Sequence, residues 1–218
     1  MEITFLAHAC FKIKGRDVSI LIDPYDPDQV GYSLPKQSAD ILLVTHDHFD
    51  HNYVEGVKDY KLLINGPGEY EKDGVFIQGI PTYHDDVKGE ERGKNTMYLI
   101  HIDGLSIMHV GDLGHELTQE TFEKLSNVDI LMVPVGGEYT INAEKAVKVI
   151  SSIEPGIVIP MHYSTPKLAF ADKLAPLEKF LDEMGADGSV TKVDKLKVSK
   201  KSDIPEETEV YIVQPSQA

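Results

Sequence analysis

The stretch ILLVTHDHFDHN, residues 41–52, joins an unbroken apolar run to a dense polar cluster. Three of the chain's nine histidines, His46, His48 and His51, fall there together with Asp47 and Asp50. The preceding run, ADILLVTH (39–46), has the length and continuous hydrophobicity of a buried strand. The polar cluster therefore lies just past the carboxyl end of that strand, where ligand sites of layered α/β proteins form. In extended backbone the side chains alternate with period two, so His46 and His48 point the same way and can grip one cation. Asp50 and His51 follow at a turn and can face a second position. A polar helix start would account for one surface histidine. Four ligand-type residues at this spacing point instead to a metal site.

Outward from this stretch, the first half reads mostly as strands. EITFLAHA (2–9) and CFKIKG (10–15) form a pair, and VSILIDP (18–24) is a third strand stopped by Pro24. Residues 25–39 read as a polar loop. DHFDHNYVEGVK (47–58) reads as the opening of a helix, and KLLING (61–66) as a returning strand. GVFIQGIPTYH (74–84), TMYLIHIDG (96–104) and LSIMHVGDLGH (105–115) are strands, the last two joined at Asp103-Gly104, a hairpin signal.

The second half alternates. LTQETFEKLSN (117–127) is a helix with Thr118 as cap, VDILMVPVGG (128–137) a strand and NAEKAVKVISSI (142–153) a helix. GIVIPMHY (156–163) is a strand, FADKLAPLEKFLDEMG (170–185) a helix interrupted at Pro176, and TEVYIVQP (208–215) the last strand. This order predicts an α/β fold with two packed sheets and helices outside, in one domain over residues 1–218.

With 36 acidic against 21 basic residues, the net charge is −15. Such a field repels phosphate backbones and disfavours nucleic acid as a partner. The single cysteine, Cys10, has no internal disulfide partner and reads as a small buried hydrophobe. MEITFLAH lacks a basic leader, and no apolar run approaches the ~20 residues of a bilayer span, so no membrane partner and a cytoplasmic location are expected. The pattern assigns no oligomeric state.

The run His46-x-His48-x-Asp50-His51 matches the first motif of the metallo-β-lactamase superfamily. His84 in IPTYHDD, Asp112 in HVGDLG, His162 in VIPMHYS and Asp23 in LIDP match its other motifs in order. HACFKI, DLGHELT and PVGGEYTINAEKA resemble small stand-alone members related to L-ascorbate-6-phosphate lactonase. The resemblance implies a four-layer αββα sandwich with two mixed sheets. It implies that His46, His48 and His84 hold one metal, that Asp50, His51 and His162 hold a second, and that Asp112 bridges them. Nitrogen and oxygen ligands suit two Zn²⁺ ions, with Mn²⁺ or Fe²⁺ as alternatives. A hydroxide bridging the ions would then attack a small ester, lactone or phosphodiester.

Asp50 is also a candidate proton carrier. His8 is a candidate to orient substrate or donate a proton, with a buried core histidine as the competing reading. His115 is a candidate at the rim, Asp23 a support for a ligand histidine, and His101 and His109 core or surface residues. The charged stretch DDVKGEERGKN (85–95) reads as a mobile loop, from which Arg92 and Lys94 could meet an anionic small-molecule substrate. Tyr139 and Thr140, after two glycines, could line a pocket. The cysteine lies at position 10 rather than at a second-metal position, so β-lactam hydrolysis is a poor fit. A nuclease or RNA-processing enzyme, a non-catalytic metal-binding module and a mononuclear iron oxygenase remain as competing readings.

Overall fold

A computed structural model describes residues 1–123, 125, 127–186 and 190–216. In chain order its elements begin with β1 (Glu2–Ala7), β2 (Cys10–Lys14), β3 (Ser19–Ile22), the one-turn α1 (Pro27–Val30), β4 (Gln37–Leu43) and β5 (Val57–Ile64). There follow β6 (Gly68–Lys72), β7 (Val75–Tyr83), β8 (Lys94–Ile102), β9 (Leu105–His109) and α2 (Gln119–Glu123). The remainder is β10 (Ile130–Pro134), α3 (Ala143–Ile153), β11 (Ile157–Met161), α4 (Leu177–Met184), β12 (Thr191–Val193), β13 (Leu196–Lys197) and β14 (Glu209–Val213).

Two mixed sheets result. One runs β13-β1-β2-β3-β4-β5, the other β12-β14-β11-β10-β9-β8-β7-β6. The alternation of β10 shows how they stack. Ile130 and Met132 join a buried cluster with Phe5, Phe11, Ile20 and Ile41 of the first sheet, which fills the space between sheets. Leu131 and Val133 face the other way, onto Ala146, Val149 and Ile150 of α3 and Phe180 of α4. On the outer face of the first sheet, Leu6, Leu21 and Leu42 are covered by Val30 of α1, Leu168 and Leu174. The layers are thus the expected α/β/β/α, with a thin outer layer on the first sheet.

Local signals act as read at several points. Asn142 caps α3, its side chain accepting from the Lys145 amide at 2.9 Å. Asp103 and Gly104 both have positive φ, 55° and 80°, as a type I′ hairpin turn demands. Pro176 separates a short 3₁₀ turn (Ala171–Lys173) from α4.

Other expectations are corrected. Residues 47–58 do not open an α-helix: the chain bends, makes a 3₁₀ turn at Val54–Gly56 and enters β5 at Val57. Tertiary bonds prevent the helix, because the Phe49 carbonyl accepts from Asp26 and the Tyr53 amide donates to Pro24. Residues 25–39 contain α1 and the start of β4. The polar strands β6, β12 and β13 carried no hydrophobic run to reveal them. Of the helix expected over 117–127, α2 covers only Gln119–Glu123; Leu117, Thr118, Leu125 and Asn127 are not helical, and Lys124 and Ser126 lie outside the described residues. Among the described residues, no helix is long and apolar enough to cross a membrane.

Candidate metal centre

The histidine cluster lies where several strands end. His8 follows β1, Asp23 follows β3, His46 to His51 follow β4, His84 follows β7, Asp112 follows β9 and His162 follows β11. Because β3 and β4 run parallel, as do β9, β10 and β11, most of these ends fall on one side of the sandwich. His8, Asp23 and His162 adopt left-handed backbone, with φ of 58°, 50° and 53°. Non-glycine residues rarely do so, and such strain concentrates at functional sites.

Asp112, 1 % exposed, is the hub. Its Oδ2 lies 3.1 Å from both His84 Nε2 and His162 Nε2, and 3.9 Å from His46 Nε2. Its Oδ1 lies 3.3 Å from His51 Nε2. Around it, potential ligand atoms gather in sets lying within 4.8 Å of one another: His46, His48 and His84; His46, His51 and Asp112; and His8, Asp50, His51 and His162. His46 Nε2, His51 Nε2 and Asp112 Oδ1 are buried without a hydrogen-bond partner among the described residues. Three such orphans converging on one space would be costly in an empty core, but they are what a bound cation requires. The residues therefore fit a metal.

Burial and the crowding of imidazoles around Asp112 shape the electrostatics of the cluster. Burial and the neighbouring His51 hold the His46 pKa well below the imidazole range. Burial also opposes charge on Asp112, but His162 and His51 prevail and hold its carboxyl well below the ordinary range. Burial and His162 push His8 down to about 4.

Supporting contacts fix the cluster. The fully buried Asp23 accepts from the Thr45 amide and hydroxyl, each at 2.8 Å, and its Oδ2 lies 2.8 Å from His51 Nδ1. Thr45 Oγ1 in turn lies 2.9 Å from His46 Nδ1. His8 Nε2 sits 3.1 Å from Asp50 Oδ2. Two glycines allow backbone to press against the cluster from behind. A Cβ at Gly114 would fall 2.3 Å from the His84 carbonyl carbon, and one at Gly136 2.1 Å from the His162 oxygen.

The structure brings the seven sequence-predicted ligand residues together, but not by strand alternation. β4 ends at Leu43, and His46 and His48 meet edge-on, 4.7 Å between rings, because the chain bends. The bend closes with the His51 and Asn52 amides both donating to the His48 carbonyl. His115 lies apart: its Nε2 accepts from the Tyr83 amide at 3.2 Å and its Nδ1 faces the Glu116 carbonyl at 2.8 Å. His109 is buried, with Nε2 2.9 Å from the Ala9 carbonyl, and Cys10 is a buried core residue.

The loop after His84 is built rather than loose. The Asp85 carboxylate accepts from the amides of Val87, Gly89, Glu91 and Arg92. A cavity of about 340 Å³ opens above Asp112, His84 and His162, and Arg92, Tyr139 and Lys173 stand among its lining. His48 and Arg92 also border an adjacent groove of about 420 Å³, which Lys94 lines. Lys173, Phe49 and Phe170 were not foreseen at the cavity. Phe49 lies within the histidine motif itself but is not of ligand type, and Phe170 and Lys173 belong to a segment without ligand-type residues at motif spacing, so only the fold brings the three together.

Comparison with known proteins agrees with this geometry. The family model of the β-lactamase superfamily domain matches residues 2–162. A UPF0173 metal-dependent hydrolase of Pyrococcus abyssi is 31% identical, covering 76% of this chain and 85% of the relative. One from Thermoplasma volcanium is 32% identical over 80% of this chain and 88% of its own length. A crystal structure from Thermotoga maritima, assigned as a Zn-dependent hydrolase of the metallo-β-lactamase superfamily, superposes with a TM-score of 0.79 at 34% identity, covering 97% of each chain. The metallo hydrolase Igni18 of Ignicoccus hospitalis shares the fold, with a TM-score of 0.66 at 21% identity over 98% of this chain and 95% of its own.

Proposed function

Because this chain belongs to the β-lactamase superfamily and is one of its metal-dependent hydrolases, we propose that it cleaves a small ester, lactone or phosphodiester at a two-cation centre. His46, His48 and His84 would hold one cation, Asp50, His51 and His162 the other, with Asp112 between them. The observation that supports this reading is the grouping of ligand atoms around one buried carboxylate, with His46, His48 and His84 in one set, Asp50, His51 and His162 together with His8 in another, and His46, His51 and Asp112 linking them, beneath an open cavity. Zinc is the first candidate, and manganese and iron accept the same donors. Cations held by these residues would supply hydroxide at neutral pH and a positive field on the scissile oxygen.

The chain's own residues do the rest. In this reading Asp50 takes the proton released as the nucleophile adds, and the contact between His8 and Asp50 supports a role for His8 in orienting that carboxylate. Asp23 holds His51 by its second ring nitrogen and so fixes which nitrogen faces the cation. Phe49 and Phe170, 6.1 Å apart and edge to face, give one side of the cavity an apolar surface. With both ring nitrogens engaged by backbone, His115 has no part in the chemistry of this reading. Cavity size and the net charge of −15 favour a small substrate over a polynucleotide.

The test is a substrate screen on protein reconstituted separately with zinc, manganese and iron, using lactones, aryl esters and bis-p-nitrophenyl phosphate. Metal-dependent turnover of one class is expected, lowered by roughly 1,000-fold or more in Asp112→Ala and His48→Ala. Full metal-dependent turnover in either variant would overturn the mechanism.

A further inference from the structure

Of the 21 basic residues only Arg16 and Arg92 are arginine, and Arg92 stands at the cavity above the histidine cluster. Its setting is built. The guanidinium lies 4.9 Å over the Tyr139 ring, and Nη2 reaches the Glu138 carbonyl at 3.4 Å. Its backbone amide donates to Asp85 at 2.8 Å, one of four amides wound around that carboxylate. The loop is thus held by its backbone around Asp85, and the guanidinium is positioned against Tyr139 and Glu138 at the cavity. Lys173 lines the same cavity from the 3₁₀ turn after Phe170. Among the described residues, no ion pair ties Arg92 or Lys173 to a carboxylate, although the chain carries 36 acidic side chains. Stacking on Tyr139 orients the guanidinium without neutralising it.

We propose that Arg92 and Lys173 form an anion clamp at the cavity mouth, selecting substrates that carry a carboxylate or phosphate group apart from the scissile bond. Arg92 supplies a planar fork for two oxygens, and Lys173 a mobile point charge. In a chain of net charge −15, an anionic substrate meets repulsion over the surface at large, so a local cationic pair is what would admit it. The apolar wall of Phe49 and Phe170 would cover the part of the substrate that carries no charge. This inference rests on the hydrolase reading above, which it narrows to anionic members of the small ester, lactone or diester class.

Two matched pairs of probes test it on the metal-loaded protein. Monophenyl succinate and phenyl butyrate differ in a terminal carboxylate against a methyl, and kcat/KM reports on both. Succinamate and butyramide differ in the same way without a labile ester, and calorimetric titration reports on their binding. The anionic member of each pair is expected to be favoured by about 10- to 100-fold, the range of a charge-assisted hydrogen bond. Arg92→Ala should collapse both ratios to near one, Arg92→Lys should restore part of them, and Lys173→Ala should reduce them partly. An unchanged ratio in Arg92→Ala, including an equal fall for both members, overturns the clamp, as does a wild-type protein with no preference. Binding preference without ester turnover would count against ester cleavage while leaving the clamp standing. Ester turnover without preference would do the reverse.

Discussion

Asp23 is fully buried, yet its carboxylate meets three donors from two neighbouring residues of the histidine segment. Through Thr45 and His51 it fixes both ends of the bend that carries the cluster. Removing it frees His51 to rotate and leaves the Thr45 amide unpaired in the interior. Asp23→Ala should therefore weaken metal affinity by about 10- to 100-fold, measured by chelator competition. Unaltered affinity would mean that packing alone orients His51. Gly136 supplies a second residue-scale test. A methyl group there meets the His162 backbone oxygen, which cannot swing aside as a side-chain tip could. Gly136→Ala should cost about 1–3 kcal/mol in urea unfolding and lower metal loading with it.

Helix α3 shows element-level logic with one dominant contact at its start. Asn142 leaves the helical conformation and its side chain takes the Lys145 amide, one of the orphan donors of the first turn. Asn142→Ala should cost about 1 kcal/mol in denaturant unfolding without touching the metal cluster. The β3–β4–β5 edge supplies a pH-dependent counterpart. Asp40 pairs with Lys61 at 2.7 Å and accepts from the Ser19 amide and hydroxyl, each at 2.8 Å. These partners, Lys61 foremost, lower its carboxyl from 3.8 to about 2. Because the folded pKa is depressed, the contribution is present above the unfolded value and is lost as pH falls from about 4 through 2. Asp40→Asn should flatten part of the stability loss in that window, measured by unfolding at stepped pH. An identical acid profile would assign the loss to other carboxylates.

For the molecule as a whole, the metal centre ties together the ends of strands from both sheets. On the proposed reading a cation there would hold the ends of β4 and β7 against those of β9 and β11, so loading should stabilise the entire sandwich rather than one loop. At a free concentration 100 times the Kd, binding to the native state contributes about 2.7 kcal/mol. For a chain of this length that corresponds to a rise in Tm of roughly 5–10 °C, reversed by EDTA and read by calorimetry. A Tm indifferent to metal would mean that the folded cluster binds none.

The sequence by itself determined two packed sheets with helices outside and a cluster of ligand-type residues at 46–51, and its resemblance to a known family added the layer order. His84, Asp112 and His162 were legible only through the resemblance to the metallo-β-lactamase motifs, whereas His46, His48, Asp50 and His51 could be read as a ligand-type cluster because they follow a continuous apolar run that a buried strand explains. The helix α3 and the Asp103-Gly104 turn were legible for a similar reason, since their signals are local. What it could not determine was how the 45–53 segment converges. Period-two alternation predicted the meeting of His46 and His48, but the bend achieves it through bonds to residues 24 and 26, more than twenty positions away in sequence. Nor could it place Lys173 or Phe170 beside Arg92, because a cavity wall is assembled from loops of separate elements and leaves no periodic trace. Ligand identity is a property of residue type and spacing, whereas the shape and charge of the space above the ligands arise only when the two sheets close on one another.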